Sequence, residues 1–144
     1  MTNYNAKPKP QGNYLTASRS GLLIFTAGMT PRKENKLVMT GKIKESIDLN
    51  VYNQVVRLAS ENALNSVKQI LRDEEVIKQI IQLNIFINAT DDFTSHSVIA
   101  DFASAYLYEM LGVKGIGSRA AIGVSSLPGN SPIEIQLTAE VGRN

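Results

Sequence analysis

Along residues 48–72 the apolar side chains Tyr52, Val55, Val56, Ala59, Ala63, Val67 and Ile70 return every three or four positions. That period lines one face of a helix, and Asp48 stands where its carboxylate would cap the first turn. Residues 76–90 change to alternation, with Ile81, Leu83, Ile85 and Ile87 against Gln82, Asn84 and Asn88. This predicts a half-buried strand. A second helical face, Val98, Phe102, Ala103, Tyr106 and Met110, follows Asp91 and Asp92, either of which would cap it, and stops at Gly112. Before the first helix, residues 13–20 and 22–29 flank Gly21 as two short strands, a hairpin in form. A polar loop follows, with a turn at Lys33, Glu34 and Asn35. After the second helix come strands at 119–126 and 132–141. The order is β-β-α-β-α-β-β, an α+β domain with both helices on one sheet face.

The last two strands hold the candidate chemistry. Ile133, Ile135, Leu137, Ala139 and Val141 alternate with Glu134, Gln136, Thr138 and Glu140. On the preceding strand, Ile122 and Val124 oppose Arg119, Ala121, Gly123 and Ser125. If residues 127–130 close a hairpin, matching apolar to apolar pairs Gly123 with Glu134. Arg119 and Glu134 then share a face about 13 Å apart along the strands. Two readings stay open: solvated surface charges, or a face that a second subunit covers to complete a pocket.

Composition narrows the classes. The chain has 144 residues, read as a single domain over 1–144 with a mobile arm at 1–11. It is 43% hydrophobic and 19% charged, as in soluble globular proteins, and lacks cysteine. Disulfides, thiolate catalysis and cysteine zinc sites are thereby excluded. No apolar run reaches membrane-spanning length and no signal-peptide pattern opens the chain, so no membrane partner and a cytoplasmic location are expected. The net charge of +2 comes from scattered lysines and arginines. That is not the footprint of a strong nucleic-acid binder.

Other motifs fail on context. Gly115-Ile116-Gly117-Ser118-Arg119-Ala120 reads GxGxxA, but a helix precedes it and a strand follows, the reverse of a dinucleotide loop. His96 is the lone histidine, so a metal site is not expected. Its neighbours Ser95 and Ser97 point away from it on a helix, which removes a serine triad. The helix cap accounts for Asp91 and Asp92.

Taken together, several stretches resemble the YjgF/RidA reactive-intermediate deaminase family, also labelled endoribonuclease L-PSP. "GNY" is similar to that family's Gly-Pro-Tyr, and "LLIFTAG" to its apolar strand ending in Ser-Gly. "LNIFINATDDF" is similar to its central strand and Asp-Phe helix start. "SRAAIGVSSLPGNSPIEIQLTAEV" resembles its most specific block, in which an arginine precedes Leu-Pro and a glutamate lies between two β-branched residues.

The resemblance implies a chorismate-mutase-like sheet and a homotrimer with pockets between subunits. It implies hydrolytic deamination of enamine or imine intermediates, such as 2-aminoacrylate, to 2-keto acids and ammonia, with no cofactor. Arg119 would grip the ligand carboxylate and Glu134 would hold or activate water. Tyr14, Ala27, Ser97 and the backbone around Ala121 would line the pocket. Asn13 stands where the family has Pro, Ala27 where Ser is common, Ser97 where Asn is common and Ala121 where several members have Cys. Arg119 and Glu134 remain. The alternatives are a non-catalytic binding protein for small carboxylates and, as the older label suggests, an endoribonuclease or translation inhibitor.

Overall fold

The computed structural model describes residues 7–144; the first six positions of the expected arm lie outside the described residues. The chain runs β1 (Ala17–Ser20), β2 (Leu23–Thr26), β3 (Arg32–Lys33), β4 (Lys36–Leu37), α1 (Asn53–Lys68), β5 (Glu75–Asn88), α2 (His96–Leu111), β6 (Ser118–Val124) and β7 (Ile133–Arg143). This is the expected α+β order, with one small hairpin, β3–β4, inside the polar loop. Glu34 and Asn35 make its turn at φ of 52° and 65°. Asp48 accepts from the Asn50 backbone N–H at 3.0 Å and starts a 3-10 turn that leads into α1.

The large sheet has the order β1-β2-β7-β5-β6. Its core face carries Ile24, Ile80, Ile85, Ile87 and the five odd-numbered apolar residues of β7, all closed to solvent and packed with the buried stripes of α1 and α2. The stripe of α2 is Ile99, Ala100, Ala103, Tyr106 and Leu107. It is turned from the expected one, because Val98 and Met110 are exposed.

Three local expectations are corrected. Ile81 is exposed rather than on the core face. β5 shifts register against β7 between Ile77 and Gln79 and again between Ile80 and Gln82. Each shift adds one residue to β5, so Ile77, Ile80 and Leu83, three apart, face Val141, Ala139 and Leu137, two apart. Neither Asp91 nor Asp92 caps α2. Among the described residues no side chain caps its first turn. Glu45 instead anchors the two residues that lead into it, accepting the Thr94 and Ser95 N–H groups, each at 2.8 Å, and both hydroxyls.

The third correction moves the site. β6 and β7 form no hairpin: β6 runs parallel to β5, and β7 pairs antiparallel with β5 on its other side. Gly129 and Asn130 adopt left-handed φ of 64° and 59°, and the chain crosses β5 instead of folding back on β6. The GxGxxA glycines serve a different connection, the one from α2 to β6 that sets β6 beside β5. A Cβ at Gly115 would collide with the Leu107 carbonyl at the end of α2, and one at Gly117 with the Ile80 carbonyl of β5.

Candidate functional site

The parallel register pairs Leu83 with Arg119, Ile85 with Ala121 and Ile87 with Gly123. Arg119 and Ala121 therefore point to the helix side, where Ala121 packs partly buried on the core. Glu134 pairs with Phe86, which pairs on its other edge with Ile122. These three point to the opposite side. Arg119 and Glu134 do not share a face, and the apolar-to-apolar match that joined them fails because Ile122 and Val124 are not core residues.

Arg119 reaches α2. Its Nη1 donates to Ser104 Oγ at 2.9 Å and lies 2.8 Å from Asp101 Oδ1. Its Nη2 donates to the Ser97 carbonyl at 3.4 Å. Ser97 thus belongs to this half of the site, through its backbone rather than its hydroxyl. About 27% of the Arg119 side-chain surface remains open. Asp101 and Ser104 are three residues apart on one helix face; the sequence reading missed both, since only the fold brings α2 over β6.

Glu134 makes the other half. Its carboxyl lies over Gly28, where an added Cβ would come within 2.7 Å of Cδ. Burial alone pushes its pKa above the usual carboxylate range. Ala27, beside Gly28, packs against the core, and its N–H donates to the Thr16 carbonyl at 2.8 Å. The β2–β7 pairing ends at Phe25 and Thr138, and an isolated bridge then joins Met29 to Ile135. That interruption sets Gly28 under the carboxyl. Tyr14 is exposed, and its hydroxyl accepts from the Gln11 N–H at 3.0 Å within its own loop.

Elsewhere, a cavity of about 290 Å³ lies beyond the ends of β5 and β6, lined by Thr90, Asp91, Phe93, His96 and Ser125 among others. None of the expected site residues lines it. His96 meets Phe93 edge-on at 5.1 Å and fills the space a side chain at position 123 would take. Among the described residues no group of three or more His, Cys, Asp or Glu could hold a metal ion, and no helix is long and apolar enough to cross a membrane.

The face around Glu134 is uncovered. Leu23, Phe25 and Ile122 are 37%, 41% and 40% exposed on it, and Phe86 is half-buried.

A family model described as "YjgF/chorismate_mutase-like, putative endoribonuclease" matches residues 6–141. Protein TCP17 of Trypanosoma cruzi is 26% identical over 137 residues, which cover 94% of this chain and 86% of that protein. Two solved structures superpose with a TM-score of 0.84 at 29% identity. One is Atu1372 of Agrobacterium tumefaciens, a protein of unknown function, over 92% of this chain and 85% of that one. The other, from Shewanella oneidensis and named a putative endoribonuclease, matches over 94% of this chain and 89% of its own.

Proposed function

The chain belongs to the YjgF/chorismate-mutase-like family, and from that premise we propose that it hydrolyses small enamines and imines, such as 2-aminoacrylate, to 2-keto acids and ammonia. The observation that carries the reading is the pair of half-sites. A guanidinium held on α2 faces one side of the sheet, and a desolvated carboxylate over Gly28 faces the other.

Neither half-site suffices alone. The uncovered apolar face around Glu134 supports assembly, because a second copy seated there would remove Leu23, Phe25 and Ile122 from water. The proposed assembly is a homotrimer in which Arg119 of one copy approaches Glu134 of the next.

The chemistry then uses groups the chain supplies. Arg119 pairs with the substrate carboxylate and fixes the plane of the imine. The species attacked is the N-protonated imine, which 2-aminoacrylate gives when its CH2 carbon takes a proton from solvent. Ionised Glu134 takes a proton from water as the water oxygen bonds to the imine carbon and the C=N π pair moves to nitrogen. The resulting carbinolamine has nitrogen and oxygen on one carbon. Protonated Glu134 returns the proton to nitrogen; as the C–N bond breaks, the ionised carboxylate takes the proton of the carbinolamine hydroxyl, so that the C=O of the 2-keto acid forms and ammonia leaves. A carboxyl whose pKa is raised suits both roles, since it gains and loses a proton nearer neutral pH. A half-buried Glu134 beside a captured water thus acts as base, then acid, then base again.

The test generates 2-aminoacrylate in situ and follows its decay with the wild-type protein. Accelerated hydrolysis supports the reading. Binding of carboxylates without hydrolysis leaves the binding-protein reading in place. RNA cleavage that weakens steeply with salt would instead favour the endoribonuclease named in the family's description.

A further inference from the structure

We propose that Asp101 is a specificity-determining residue of the Arg119 site, holding one end of the guanidinium and selecting ligands with one carboxylate over ligands with two. The proposal rests on Arg119 being the carboxylate clamp.

A guanidinium offers two forks for a carboxylate, the Nη1/Nη2 end and the Nε/Nη2 edge. In this fold Nη1 donates to Ser104 Oγ at 2.9 Å and forms an ion pair with Asp101 Oδ1 at 2.8 Å, so both side chains of α2 crowd that end of the guanidinium. The end fork is closed. Nη2 has one long contact, 3.4 Å to the Ser97 carbonyl, and Nε has no partner among the described residues. The Nε/Nη2 edge is the one left for a ligand. Because Asp101 and Ser104 sit on a single helix face, the guanidinium is oriented before anything binds, which lowers the ordering cost of capture.

Asp101 also changes the charge of the site. It is 68% exposed, so its pairing with Arg119 contributes little to the stability of the fold. Its negative charge remains within a few ångströms of the ligand's place. A first carboxylate gains two charge-assisted hydrogen bonds and tolerates that neighbour. A second carboxylate gains no donor and meets the repulsion, whereas an imine or ammonium nitrogen does not. The substrates this selects are imines of amino acids with neutral or cationic side chains, not of acidic ones.

The test uses the full-length protein and two probes of equal carbon count, propanoate and malonate. Affinities are measured by NMR titration at pH 7.5 and low salt for wild type, Asp101→Asn, Asp101→Glu, Ser104→Ala and Arg119→Ala. Wild type should prefer propanoate, and Arg119→Ala should lose both probes. Asp101→Asn keeps an acceptor for Nη1 but removes the charge, so malonate should gain roughly three- to tenfold more affinity than propanoate, an effect that fades in high salt. Asp101→Glu should restore the wild-type ratio. Ser104→Ala should weaken both probes while leaving their ratio unchanged, a separation of position from charge that a merely structural role for Asp101 would not give. An unchanged ratio in Asp101→Asn, with binding still abolished in Arg119→Ala, overturns the role of Asp101 and leaves the clamp standing. A wild type that binds neither probe overturns both.

Discussion

Arg119 and Glu134 project from opposite faces of one sheet, separated by the intervening strand β5. In the proposed mechanism a ligand touching both lies between two copies of the chain. Assembly is then part of the proposed chemistry, and it can be tested without any structure of the oligomer.

Arg119→Ala and Glu134→Gln proteins should each lose most of their activity toward 2-aminoacrylate, yet regain activity when co-expressed. Random mixing makes roughly a quarter of shared sites wild type in both residues, whatever the size of the closed ring. Activity should therefore return to about that fraction of wild type. Persistent inactivity of the mixed oligomers would remove the shared pocket, as would a stable monomer in sedimentation that retains full activity.

At Arg119 the two substitutions should differ. Lys keeps the charge without the planar fork, and Ala loses both. Two charge-assisted hydrogen bonds at about 1.5–3 kcal/mol each, not fully additive, suggest a loss of about 2–4 kcal/mol. That is roughly 30- to 1,000-fold in kcat/KM for Ala. Lys should recover a minor part of it, with thermal unfolding close to wild type in both variants. Undiminished kcat/KM in Arg119→Ala would refute the clamp.

The Glu134 half-site predicts opposite effects on turnover and stability. Its pKa is raised in the fold, so the ionised carboxylate carries a cost that is absent below the unfolded pKa and fully present above the folded one. Glu134→Gln should slow turnover yet raise the melting temperature at neutral pH, and the gain should vanish in acid. In wild type, kcat should fall on the acid side at a pH above the ordinary carboxylate range, and this limb should be missing from any residual activity of Glu134→Gln. Gly28→Ala should act on the same carboxyl from below, because its Cβ would meet only a flexible side chain. Turnover should drop while the fold survives.

Arg19 and Glu75 supply a separate acid-sensitive contact. The guanidinium donates from Nη1 and Nη2 to the two carboxylate oxygens, both at 2.7 Å, and ties β1 to the start of β5. These bonds, helped by the Arg72 N–H, lower the Glu75 pKa to about 2 from an ordinary 4.5. The folded value is the lower one, so the contribution is present above the unfolded pKa and disappears as pH falls from about 4.5 to about 2. Glu75→Gln should lower the melting temperature at pH 7, and its difference from wild type should close across that window. A difference independent of pH would assign the bridge no ionic contribution.

The site was legible in the sequence only in part. The arginine and glutamate stood out as residues on alternating strands, and the resemblance pointed to both. Their relative placement was not readable, because β6 has too few large apolar residues for alternation to say which face is buried. With Ile122 and Val124 assigned to the core, the register came out inverted. Asp101, Ser104 and Gly28 join the two half-sites through packing between elements distant in the chain, and no local spacing signals them. The same holds for Glu45, which anchors the lead-in to α2 from about fifty residues upstream.

The sequence by itself determined the two helices, the alternation of β7 and the order of the main elements. Those follow from side-chain directions repeating at 3.6 or 2 residues, a property of each segment alone. Tertiary structure decided which strands are neighbours. β5 spans 14 residues and β7 spans 11, and side by side they join two long apolar rows on the core face. A hairpin with the seven-residue β6 would have left the far end of the 11-residue β7 unpaired. The longer ladder and the larger burial outweigh the shorter loop. That choice puts β5 between the arginine strand and the glutamate strand, and with it the two halves of the site on opposite faces.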